Sequence, residues 1–133
     1  MPALPPAEAA GAAAGDPRVL RRWRLAFAVV LCAALWIALL PGGQGEDWFR
    51  HADKFRHAVA FMALYWMGWR GRVASTGWLL AILLGFGVLV EVAQSFTTWR
   101  SAELADVAAD AAGLLLGWVA LGRHPWDRVR PAT

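Results

Sequence analysis

The chain has 133 residues, 59% of them hydrophobic and 17% charged, with a formal net charge of +3. An ordinary soluble domain is roughly 45–50% apolar and about 25% charged, so this composition excludes a disordered chain, argues against a soluble domain and leaves no room for two sizeable domains. A single Cys excludes an intrachain disulfide framework and a Cys-rich zinc site. Only one of the thirteen basic residues is Lys, and the Arg residues flank apolar runs. That is the layout of membrane flanks, so no nucleic-acid partner is expected.

Residues 1–17 are rich in Ala, Pro and Gly, show no apolar periodicity and read as a flexible tail. Arg18, Arg21, Arg22 and Arg24 follow, then an uncharged run from Leu25 to Leu40 that stops at Pro41-Gly42-Gly43. With Trp23 it is long enough to cross a bilayer, at the short end of the range. A cleavable signal peptide is the competing reading, weakened by the proline-bearing leader and by the lack of a clean small-x-small site before Glu46. The second run goes from Ala58 to Trp69 and the third, wholly uncharged, from Val73 to Val90; the fourth, Ala105 to Leu121, carries Asp106 and Asp110. No run has a period of two, which excludes support for a β-barrel. The expected fold is therefore all-α: an integral membrane bundle of four transmembrane helices over residues 18–122, with a short basic tail at 123–133. A soluble helical bundle is the alternative, disfavoured because the runs exceed what a buried core helix needs.

Basic residues set the orientation. The N-terminal flank, Arg70 and Arg72, and the tail's Arg123, Arg128 and Arg130 stand on one side. Arg50, Lys54, Arg56 and Arg100, mixed with Glu46, Asp47, Asp53 and Glu103, stand on the other. The excess predicts that both termini are cytoplasmic. Trp23, Trp48, Trp69, Trp78, Trp99 and Trp126 fall near span ends, where interfacial Trp belongs.

Counting at about 1.5 Å per residue from Trp69, Trp78 and Leu121 places His57, Glu91 and Asp110 at roughly 17–20 Å above the cytoplasmic face. Asp53, Gln94 and Asp106 fall in a second layer at about 23–24 Å. Charge at mid-membrane costs at least about 2.5–3.5 kcal/mol per residue on the insertion scale, so these groups are expected to face one another or a wet cavity. Helical spacing allows it: Lys54, His57 and Phe61 share a stripe, Glu91 and Gln94 are i, i+3, and Asp106, Asp110, Gly113 and Gly117 share one face. The expected cavity is lined by the second, third and fourth helices, the first serving as an apolar brace. Structural readings compete. Asp106 or Asp53 would also serve as helix caps. Glu91 and His57 would also form a buried pair that fixes register, and Gly113-x-x-x-Gly117 a close-packing groove. Cys32, among apolar neighbours, reads as inert filler.

At these residues the chain resembles the VanZ-like family of small bacterial membrane proteins. The resemblance lies in Asp53, Lys54, His57 and Phe61; then Glu91 and Gln94; then Arg100, Asp106, Gly113 and Gly117. One position departs from the pattern: Asp110 stands where the family usually has Asn. Two desolvated carboxylates on adjacent turns predict that Asp110 is neutral at pH 7. The resemblance implies a multi-pass protein of the bacterial plasma membrane tied to the cell envelope, the founding member being associated with low-level resistance to the glycopeptide teicoplanin. It implies no reaction.

Three functions stay open on the residues. A non-enzymatic pocket made of Asp53, Lys54, His57, Glu91, Gln94, Arg100, Asp106 and Asp110 would recognise a lipid headgroup or a lipid-linked envelope intermediate, with the cations suited to phosphate and the carboxylates to amines or sugar hydroxyls. A membrane enzyme would use His57 as acid or base, oriented by Glu91 or Asp106. A proton pathway is disfavoured, because the lower half of every span is bare of ionisable groups. No cofactor is expected and no metal is assigned. One His with several carboxylates suits Mg or Mn better than structural zinc, yet the same groups equally make a hydrogen-bonded network. A homodimer is compatible with four short helices but has no sequence signature.

Overall fold

A computed structural model of the chain describes residues 15–41, 52–99 and 102–122. Trp48, Arg100, Trp126, residues 1–14 of the expected N-terminal tail and the basic tail at 123–133 lie outside the described residues. The described chain is all-helical: α1 (Pro17–Leu39), α2 (Ala52–Gly71), α3 (Thr76–Ser95) and α4 (Leu104–Leu121).

The helix ends follow local chemistry. Asp16 caps α1, its carboxylate accepting the Arg18 N–H at 2.8 Å, and Pro17 takes the first helical position, where no N–H is needed. The helix thus starts well before the uncharged run, and the Arg cluster occupies its opening turns. α2 likewise begins earlier than its apolar run, because the charged segment from Ala52 to His57 is already helical. It closes in a tight C-terminal turn: the Val73 N–H reaches the Gly68 carbonyl at 3.0 Å and the Arg72 N–H reaches Trp69 at 3.2 Å. Arg72 sits there at φ 48°, a left-handed conformation normally left to Gly. Arg24 holds this turn from α1, donating to the Gly71 carbonyl at 2.9 Å and the Arg72 carbonyl at 3.3 Å.

Helices consecutive in the chain run in opposite directions. The start of α1 therefore meets the end of α2, where Trp23 packs edge-on against Trp66 at 4.9 Å and Arg70 lies over the Trp23 ring at 5.3 Å. At the opposite end, Gln94 of α3 donates to the Ala38 carbonyl at 3.1 Å, and the Trp99 indole donates to Leu39 at 3.3 Å. These two bonds satisfy carbonyls that the last turn of α1 leaves without helical partners.

The core is Phe27, Phe61, Leu64, Tyr65, Leu79, Leu83, Phe86, Val90 and Leu114. α2 packs most extensively on α4. Gly113 makes that contact possible: a Cβ there would overlap the backbone carbonyl of Ala58. The outer faces stay apolar, with Val29, Trp36, Leu89, Leu115 and Val119 all exposed. α1, α3 and α4 are each long and apolar enough to cross a membrane. α2 has the length, but its first two turns carry Asp53, Lys54, Arg56 and His57.

Candidate functional site

The polar residues gather at the end of the bundle formed by the C-termini of α1 and α3 and the N-termini of α2 and α4. The closest contact joins His57 of α2 to Asp110 of α4, with Nδ1 and Oδ1 2.8 Å apart. Asp110 is fully buried, and His57 is partly buried, with 16% of its side chain exposed. Gly87 of α3 makes room for this carboxylate: a Cβ at that position would come within 2.5 Å of Asp110 Oδ2. Three helices thus fix one acid, through a His partner on α2, a small residue on α3 and the backbone of α4.

Glu91 has a different task. Its Oε2 accepts the Glu103 backbone N–H at 2.8 Å. Glu103 is the N-cap residue of α4, and its own side chain makes no capping bond. Helices often receive this bond from an acid three residues on. Asp106 occupies that third position, and Glu91 of α3 supplies the bond instead. A buried carboxylate thereby ties the end of α3 to the start of α4.

Asp106 is 4% exposed and is not the cap of its helix. In the first turn of α4 its charge is favoured by the helix dipole. Its Oδ1 lies 3.5 Å from Lys54 Nζ, which is drawn more closely to Glu103, at 2.9 Å. Asp53 pairs with Arg56 at 3.9 Å along α2. Donor atoms of Asp53, His57 and Asp106 all lie within 4.8 Å of one another.

The two expected layers merge. His57 and Asp110 do meet at one height, but Glu91 reaches outward to Glu103, and Asp53, His57 and Asp106 converge across the layers. A side chain spans several ångströms along the bundle axis, as much as one helical turn. Gln94 turns away from the acids toward α1, and Arg100 lies outside the described residues. Lys54 is engaged by Glu103 and Asp106.

A cavity of about 370 Å³ opens beside this cluster. Val30, Ala33, Ala34, Ile37 and Ala38 of α1 form one wall, and Ala60, Phe61, Phe86 and Val90 the other; Asp53, Arg56, His57 and Gln94 stand at its polar end. Two of the three helices expected to line a cavity, the second and third, line this one, and α1 supplies its remaining wall, with no α4 residue in it. α1 is also more than an apolar brace, since its carbonyls at Ala38 and Leu39 bind α3 and Trp99.

No family model, curated protein or solved structure matches the chain.

Two contributors escaped the sequence reading. Arg56 stands in the cavity wall; its position three residues after Asp53 was the available signal. Glu103 is a cap residue that pairs with Lys54 and receives Glu91, and Glu is not among the side chains that mark a helix start.

Among the described residues the end holds five carboxylates: Asp53, Glu91, Glu103, Asp106 and Asp110. Against them stand two permanent cations, Lys54 and Arg56, and the His57 imidazole. Oδ1 of Asp106, Oδ2 of Asp110 and Oε1 of Glu91 are buried without hydrogen-bond partners. Chemically, the arrangement offers an oriented imidazole, an acidic surround and an apolar chamber alongside.

Proposed function

We propose that the protein is a four-span plasma-membrane protein of the VanZ-like type that binds the polar end of an envelope amphiphile, a lipid or a lipid-linked cell-wall intermediate, in the cavity between α1, α2 and α3. The observation that carries this reading is the form of the cavity: hydrocarbon walls closing on Asp53, Arg56, His57 and Gln94. Such a shape takes an acyl or prenyl chain along its length and a headgroup at its mouth, and its volume falls within the usual range for small-molecule sites. Arg56 is the cation available to a phosphate there, since Lys54 is held by two carboxylates. In this reading α2 also spans, its charged turns facing the cluster and the outer interface, and both termini are cytoplasmic by the Arg distribution. The resemblance, and its link to glycopeptide tolerance, rests on the motif residues, of which Asp53, His57 and Asp106 converge while Phe61 lines the cavity.

The test is lipid mass spectrometry on protein purified in mild detergent. One amphiphile class should be retained in near-stoichiometric amount. Filling the wall with Ala34→Phe or removing the cation with Arg56→Gln should lower its occupancy. Lipid content matching the bulk membrane, unchanged in both variants, would refute the reading. Expression in a susceptible host should raise tolerance to teicoplanin if the family link holds.

The His57–Asp110 pair favours a second reading, an enzyme acting on such a lipid. A carboxylate that fixes Nδ1 leaves Nε2 to take or give a proton. His57→Gln should then abolish turnover of a lipid-linked substrate while the protein still inserts and retains lipid.

A further inference from the structure

We propose that Asp53, His57 and Asp106 bind a divalent cation of the Mn²⁺ or Mg²⁺ class at the acidic end of the bundle. The residues come from two helices: Asp53 and His57 one turn apart on α2, Asp106 from the first turn of α4. Their donor atoms lie within 4.8 Å of one another. Octahedral cations of this class hold oxygen donors at about 2.0–2.2 Å, which sets neighbouring donors roughly 3 Å apart. The three side chains reach that spacing by moving about 1 Å each, a change open to carboxylate rotamers.

Three observations outside the spacing point to a cation. The first is Asp106 itself: the carboxylate is more than nine-tenths buried, and its Oδ1 has no hydrogen-bond partner. Lys54 is ion-paired with it only at 3.5 Å and lies closer to Glu103, at 2.9 Å. Glu91 likewise keeps Oε1 buried without a hydrogen-bond partner. The second is the orientation of His57. Its Nδ1 is committed to Asp110 at 2.8 Å, so Nε2 is the ring nitrogen left to ligate. A carboxylate on the non-ligating nitrogen is the usual support of a metal-bound imidazole. The third is charge. Even with Asp110 neutral, four carboxylates face Lys54 and Arg56 in a bundle with apolar outer faces, and a divalent ion offsets that excess. Two carboxylates and one imidazole select Mn²⁺ or Mg²⁺ over the thiolate-bound metals, and Asp53, half exposed at the rim, gives the ion an entry path.

The site shares Asp53 and His57 with the mouth of the lipid cavity, whose Arg56 and Gln94 take no part in it. The experiment is a Mn²⁺ titration of the full chain in lipid nanodiscs, read by electron paramagnetic resonance, in which binding removes the multi-line spectrum of the free aqua ion. One saturable site per chain is expected, competed by Mg²⁺, and the bound ion should show nitrogen coupling from His57. Asp106→Asn and Asp53→Asn should each weaken Mn²⁺ binding at least tenfold, and Asp110→Asn, which acts through His57, by about 10–100-fold. Asp53 is half exposed, so its variant still reports if Asp106→Asn does not fold. The proposal is overturned if no saturable site appears below about 1 mM, if the bound ion lacks nitrogen coupling, or if both Asp variants bind as the parent does.

Discussion

Replacing Gly113 by Ala places a methyl group against the Ala58 backbone carbonyl, with the Ala58 Cα 2.9 Å away. Neither side can rotate clear, since the obstacle is backbone, so α2 and α4 must separate along their closest seam. Overpacking of this kind costs about 1–3 kcal/mol, and here it also lengthens the His57–Asp110 contact one turn away. Gly85 of α3 is the natural control, because a Cβ there meets nothing within 4 Å. Gly85→Ala should follow helix propensity alone and stabilise by up to about 1 kcal/mol. The two substitutions, chemically identical, are expected to shift stability in opposite directions, with a gap of about 1–4 kcal/mol, a difference of 2 kcal/mol being roughly 30-fold in the folded-to-unfolded ratio. The assay is reversible unfolding in mixed micelles, monitored by tryptophan fluorescence. Equal shifts of the same sign would refute the close α2–α4 seam and the placement of Asp110 that depends on it.

Glu91→Leu removes the acceptor for the Glu103 N–H and should cost about 1.5–3 kcal/mol, whereas Glu91→Gln keeps an acceptor oxygen and should recover at least half of that loss; the same unfolding assay separates them. Arg24→Ala should destabilise by about 1–3 kcal/mol, because two carbonyls and the left-handed Arg72 turn lose their donor, and proteolysis between α2 and α3 should accelerate.

The sequence reading went furthest where a single helical face decided the outcome. Asp106, Asp110, Gly113 and Gly117 step by four, three and four, and all four are buried on the α4 face that meets its neighbours. Period 3.6 holds whatever the neighbours are, so that stripe is legible from residue types alone. The same arithmetic could not say which way a long side chain turns at the end of a helix. Glu91 and Gln94 are one turn apart on α3, yet one reaches α4 and the other α1. Their partners are backbone groups at other helix ends, and a backbone N–H or carbonyl carries no residue identity to read. Arg24 shows the same limit: in sequence it belongs to a basic flank, and in the fold it closes the turn after α2. Helix starts moved for a related reason. An apolar run marks what the core or the lipid needs, while Asp16-Pro17 and the charged opening of α2 are helical because their caps and dipoles allow it.

The ionisable groups of this greasy chain meet between helices rather than face its apolar surround. A double-mutant cycle on His57 and Asp110 tests it most directly, with His57→Ala, Asp110→Ala and the double variant compared by unfolding in the same micelles. The 2.8 Å contact between buried partners predicts a coupling energy of about 1–3 kcal/mol, with the second substitution costing far less once the first is made. Strictly additive losses, within about 0.5 kcal/mol, would mean that the two side chains do not meet, and would contradict the account.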